Sequence, residues 1–170
     1  PSKPRHLDPS ALGTPALAIA CAAREALRIG DIVEQMLVGM MQVLKSGDRT
    51  LAADIRRLDD TVDDLYTATK LYLTQISREA LEVQEGRRWA DIVSFTINME
   101  QVGDIIERIV VDIEDKMIDK GRRFSEAGMT EICDLHTRLH ANLKLGLSVF
   151  LTGDLAGAQH VPEIERDTSF

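Results

Sequence analysis

Apolar residues recur every three to four positions along most of this chain, the spacing that lines them up on one face of a helix. Residues 1–13, PSKPRHLDPSALG, lack that rhythm and hold three prolines, which predicts an extended lead-in. Thr14 and Pro15 then supply a helix-start signal. Ile19, Ala23, Ala26, Gly30, Val33, Leu37, Met40 and Leu44 mark a long first helix that stops at Ser46-Gly47-Asp48. The pattern resumes at Thr50 and runs through Leu51, Ile55, Leu58, Val62, Leu65, Thr69, Tyr72 and Ile76. Ser77 is placed to cap a short helical turn over SREALEVQEG that ends at Gly86. A third long helix is expected from near Arg88, through Ile92, Phe95, Met99, Val102, Ile106, Ile109, Ile113 and Met117, to a stop at Lys120-Gly121. A fourth follows Ser125 with the stripe Ile132, Leu135, Leu139, Leu143, Gly146 and Phe150, stopping at Thr152-Gly153-Asp154.

Long helices with short connections predict an all-α, antiparallel bundle with coiled-coil-like packing. A weak internal repeat adds to this. VLKSGDRTLAADIRRL (43–58) and VFLTGDLAGAQHVPEI (149–164) share a helix end, a Gly-Asp turn and a new helix at a shift of 106. The expected layout is a lead-in over 1–13, a three-helix repeat over 14–121 and part of a second repeat over 122–170.

Composition narrows the function classes. The net charge is −8 and the isoelectric point about 5.0, so the surface repels phosphodiester backbones and nucleic acid is not an expected partner. The basic groups Arg87-Arg88 and Lys120-Gly121-Arg122-Arg123 read as solvated or as complements to helix ends. Cys21 and Cys133 lie in apolar helical patterns with no CxxC, so buried free thiols are expected. The longest uncharged run near the start, residues 9–23, is short and interrupted by proline. It has neither the length of a membrane span nor the order of a signal peptide, and a soluble chain is expected.

The candidate chemistry lies in two acid rows. In MEQVGDIIERI (99–109), Glu100, Asp104 and Glu107 run beside the apolar stripe; in RLDDTVDDLY (57–66), the pairs Asp59/Asp63 and Asp60/Asp64 do the same. Both rows sit mid-helix, away from the N-terminal ends that favour acids, and neither has lysines four residues on to neutralise it. They read either as solvated faces or, if the two helices face each other, as a ligand set for a hard cation such as Mg, Ca, Mn or Fe. Asp31 and Glu34 are weaker candidates. A ferritin-like di-iron oxidase is excluded, because no histidine has a Glu three residues before it. His136 and His140 form an HxxxH pair without the Glu of a zinc protease and read as surface or interface residues. No nucleophile–base set and no Gly-rich phosphate loop is present, so no catalytic role is expected.

LDDTVDDL resembles the acid-x-x-(Ile/Val)-Asp-x-Leu motif of PhoU-type domains, and MEQVGDIIERI resembles their Glu-Arg-Ile-Gly-Asp motif, with Gln101 in place of the Arg. Residues 4–37 and 77–106 further resemble the PhoU-like cytoplasmic region of Na+/phosphate cotransporter family proteins, and the likeness spans roughly residues 4 to 160. That resemblance implies a non-enzymatic regulatory domain on the cytoplasmic side of an inner-membrane protein. A homodimer is expected separately, because the apolar stripe of the fourth helix, widened by Met129, Leu147 and Leu151, is broader than one neighbouring helix covers; the resemblance adds a link to a transmembrane phosphate-transport domain in the same full-length chain and a role in modulating phosphate uptake. It also implies metal ions (Fe, Mn, Zn, Mg or Ca) held by paired E(D)xxxD motifs, which fall here on Asp59, Asp63, Glu100 and Asp104. A second metal motif is not matched, since the 106-residue shift sets Asp63 on Ser169. The alternatives are a free-standing PhoU-like regulator that docks on a transporter or sensor kinase, and a helical scaffold that binds no metal.

Overall fold

A computed structural model describes the backbone of residues 2–167 and the side chains of residues 2–153. Four helices carry the fold: α1 (Pro15–Ser46), α2 (Arg49–Thr74), α3 (Val83–Ile113) and α4 (Glu126–Asp167), with no strand among the described residues. The first turn follows from local chemistry. Gly47 ends α1 in the left-handed region (φ 66°), and Asp48 caps α2 by accepting from the Thr50 and Leu51 amides at 2.9 and 3.2 Å.

The core divides into two clusters that fix helix direction. Ala18–Ala26 of α1 pack with Tyr72, Leu73, Ile76 and Ile92, whereas Ile29–Leu44 pack with Ala52–Leu65 and Met99–Ile113. Hence α2 runs antiparallel to α1, and α3 antiparallel to α2. Helix α1 is central, packing on α2, α3 and α4, while α4 touches α3 only lightly.

Four expectations need correction. First, α3 begins at Val83 rather than near Arg88, and only Arg78–Ala80 form a separate short turn. Glu85 reaches back to accept from the Glu82 amide at 2.9 Å, starting the helix early, and Gly86 is carried inside it where its missing side chain leaves nothing unpacked. Second, the run stops at Lys120-Gly121 as expected, with Gly121 in the left-handed region, but its last stretch, Glu114–Asp119, is π-helical and not α-helical.

Third, α4 does not stop at Thr152-Gly153-Asp154 but runs on to Asp167. The Gly153 position packs against the Arg88 guanidinium, 3.1 Å from where a Cβ would stand, so Gly153 lies along α3 inside the helix instead of at a reversal. Fourth, α4 does not bury its predicted stripe as one face. Ile132, Leu143 and Phe150 are covered, but Leu135 and Leu139 are exposed, and Ile109 on α3 is exposed as well. The face turned to the bundle is Ile132, His136, His140, Leu143, Leu147 and Phe150, all half-buried or buried. Two polar contacts set this rotation: His136 Nε2 donates to the Leu37 carbonyl at 2.8 Å, and His140 Nε2 meets Glu34 Oε1 at 3.0 Å. Gly30 lets α4 come close, since a Cβ there would stand 2.3 Å from Leu147.

The lead-in also differs from the expected free extension. Pro9–Gly13 form a short 3-10 turn capped by Asp8, and residues 2–8 lie bonded to α1 and α2. Cys21 and Cys133 are free and half-buried.

Candidate metal centre

Both acid rows face the seam between α2 and α3. Asp59 and Asp63, one turn apart on α2, and Asp104 on α3 each bring one carboxylate oxygen within 4.8 Å of the others. Asp59 is buried, while Asp63 and Asp104 are half-buried. Glu100 lies outside this three-oxygen group; it is half-buried one turn before Asp104 and hydrogen-bonds to the Asp104 carboxyl. Glu107, one turn after Asp104, adds its negative charge to both Asp59 and Asp63. Asp60 and Asp64 are exposed on the outer side of α2, where Asp64 binds the lead-in.

The electrostatics record how crowded these acids are. Burial above all, then the charges of Asp63, Asp104, Glu107 and Asp60, push the Asp59 carboxyl up to about 7. Asp63 is raised by burial first and by Asp104 next, and Glu100 by burial followed by its hydrogen bond to Asp104. Among the described residues no Lys, Arg or His forms an ion pair with Asp59, Asp63 or Asp104. Asp59 Oδ1 is buried without a hydrogen-bond partner. Such an orphaned acceptor is costly on its own. An all-oxygen donor set around it fits a hard cation, which would satisfy Oδ1 and offset the repulsion.

What brings the helices together is Gly103, a residue that periodicity does not flag. A Cβ at Gly103 would stand 3.2 Å from Asp59 Oδ1 and 3.7 Å from Val62. Its sequence signal is that it stands where the Glu-Arg-Ile-Gly-Asp motif has its glycine, directly before Asp104.

The remaining candidates lie elsewhere. Asp31 and Glu34 face α4, where Glu34 meets His140 and, at 3.9 Å, Lys144. Among the described residues the HxxxH pair joins no group of three metal-ligating side chains. Arg88 is not simply solvated: its guanidinium lies over the Phe150 ring at 4.1 Å and donates to the Phe150 carbonyl at 3.1 Å, tying α3 to α4. Lys120 pairs with Asp115 at 3.1 Å, and Arg122 and Arg123 are exposed.

Fold and site together define a helical bundle whose central seam carries a convergent set of carboxylates. Residues 26–113, which contain both acid rows, match the PhoU domain family, and the chain belongs to that family. It is similar to the protein named "Putative inorganic phosphate export protein YjbB" of Salmonella typhimurium, 48% identical over 159 residues, and to its namesake in Escherichia coli, 46% identical over 159 residues. Each alignment covers 94% of this chain but 29% of the relative, so the chain spans less than a third of the length of these proteins. No solved structure gave a significant match.

Proposed function

We propose that this domain is a cation-binding regulator of phosphate movement, acting on a transmembrane phosphate-transport domain of the same full-length chain. The observation that carries the cation part is the buried, unpartnered Asp59 Oδ1 beside Asp63 and Asp104. A bound divalent or trivalent ion supplies positive charge that bridges α2 and α3. Asp59, Asp63 and Asp104 are the ligands, and Glu100 stands next to Asp104 to orient it or add an oxygen. The phosphate part is supported by membership of the PhoU family and by the phosphate-export name of the relatives. No helix among the described residues is long and apolar enough to cross a membrane, so in this reading the path for phosphate is built by other parts of the chain. The sodium-coupled transporter resemblance, a cytoplasmic placement and a non-enzymatic role belong to the same proposal. A free-standing regulator docking on a transporter or sensor kinase uses the same centre, and differs by having no membrane spans in its full-length chain.

The test has two stages. Metal analysis and thermal melts with Mg, Mn, Fe, Zn and Ca should show binding that raises the melting temperature of the wild type. Asp63→Asn should melt higher than wild type without metal, because repulsion is relieved, and should lose the gain on adding metal. An unchanged wild-type melt with all five metals would overturn the cation reading. In cells carrying the full-length protein, Asp63→Asn should alter the phosphate flux; an unaltered flux would overturn the regulatory reading.

A further inference from the structure

The lead-in carries a feature that the cation centre does not use. Glu25, inside α1, is fully buried, and its neighbours Ala22, Ala26 and Ile29 on the same helix are buried with it. Its Oε1 accepts from the backbone amide of Arg5 at 2.7 Å, and its Oε2 has no hydrogen-bond partner. Arg28, one turn on, stands 3.6 Å from Oε2 and donates to the Lys3 carbonyl at 3.2 Å. A carboxylate and a guanidinium at i, i+3 thus bind the Arg5 amide and the Lys3 carbonyl, backbone groups of the lead-in. Three further contacts hold the same segment. The Ser2 amide donates to Asp64 Oδ2 at 3.1 Å, the Ser2 hydroxyl meets Thr61 Oγ1 at 2.9 Å, and the Tyr72 hydroxyl donates to the Asp8 carbonyl at 2.8 Å.

These contacts are polar and lie at the edge of the bundle, Leu7 supplies the segment's apolar contact with the core, and most of residues 2–8 are exposed. The segment therefore opens at less cost than any core element. It also meets the outer side of the acid helix: Asp64 is adjacent in sequence to Asp63 and contributes to the field on it. The segment brings two cations, Lys3 and Arg5, to within three residues of that contact. Negative potential from the acid rows attracts it, and positive charge placed among those acids weakens the attraction.

We propose that residues 2–8 are a releasable strap, gripped through their backbone by Glu25 and Arg28 and tethered to the acid helix at Asp64, so that neutralising the acid centre loosens them. The grip stands on its own geometry. Its link to the centre rests on the cation role proposed above, and makes the strap the element through which occupancy of the centre is passed to whatever chain precedes it.

The experiment is hydrogen exchange of the Arg5 amide, read by NMR on this chain. In the wild type that amide is protected, and Glu25→Ala raises its exchange at least about tenfold while Glu25→Gln, which keeps an acceptor, raises it less. Should Glu25→Ala fail to fold, Asp64→Ala on the exposed side of α2 serves instead, with faster exchange at Ser2 and Arg5. An Arg5 amide that exchanges at the rate of an unfolded peptide in the wild type would overturn the strap. For the link, Asp63→Asn is compared with wild type without any metal, and Arg5 exchange should rise about twofold from the lost charge alone. An unchanged rate in Asp63→Asn overturns the coupling even if metal binds, whereas a changed rate without metal binding leaves the coupling standing and overturns only the cation.

Discussion

Gly103 of α3 lies so close to Asp59 of α2 that a methyl group added to it would stand 3.2 Å from Asp59 Oδ1. The seam is therefore as narrow as it is because one residue lacks a side chain, and the carboxylates of Asp59, Asp63 and Asp104 converge because the seam is narrow. Gly103→Ala tests this with two opposing effects. Alanine favours the helix by about 0.5–1 kcal/mol, while the methyl must push a carboxylate that is already crowded. We expect the metal-free melting temperature to change little and the cation affinity to fall about tenfold as Asp59 turns away, roughly 1.4 kcal/mol. Calorimetric titration of both proteins checks it; equal affinities would mean that Gly103 does not position Asp59.

The raised Asp59 carboxyl makes stability depend on pH in an unusual direction. Its native value, about 7, lies above the unfolded carboxylate value, so between about pH 4 and 7 the native state holds more protons than the unfolded one. The stability contributed by the protonated acid is fully present below that window and is lost as pH rises through it. Asp63 and Glu100 are raised too and act in the same sense. The metal-free domain should thus melt lower at pH 7.5 than at pH 5.5. The gain on adding cation should be larger at pH 7.5, because ion and proton compete for the same oxygens. Melts across this range in Asp59→Asn should be flatter than in wild type.

Phe150 stacks on Phe95 with ring centroids 4.1 Å apart, and Arg88 covers its other side. Phe150 is buried and anchors the light contact between α3 and α4. Phe150→Ala should cost about 3 kcal/mol locally. Amide exchange should quicken around residues 143–153 more than around residues 129–140, which His136 and His140 hold to α1. Uniform loss of protection along α4 would show that the helix docks as one unit.

The outer face of α4 leaves Leu135, Leu139, Leu145 and Val149 exposed. Water contact at such a row forgoes about 1.5–3 kcal/mol for each large side chain that could be fully covered. We propose that two copies of this chain associate through it as a two-fold dimer. Light scattering at high micromolar concentration should then report more than the monomer mass of 18.9 kDa, and Leu139→Glu with Leu145→Glu should return it to that value. A wild-type monomer at that concentration rules the dimer out.

Much of this architecture was written locally in the sequence. The 3–4 spacing specified four helices, and the Thr14-Pro15 start, the Gly47-Asp48 reversal and the start after Ser125 are where the motifs put them. These features are short-range: a cap or a left-handed glycine acts within a few residues, so its outcome needs no partner helix. The two acid rows were equally legible as rows. Which acids share one point was not, because that depends on the distance and relative rotation of two helices. Asp59, Asp63 and Asp104 converge and Glu100 stands one turn aside, an outcome set by the close approach at Gly103. The same non-local control turned His136 and His140 of α4 toward α1 in place of Leu135 and Leu139, carried α4 past a Gly-Asp pair that ends α1 elsewhere, and bound an aperiodic lead-in onto a buried Glu25. Periodicity alone reports which residues share a helix face; packing against a neighbour decides which part of that face is buried and what charge it meets there.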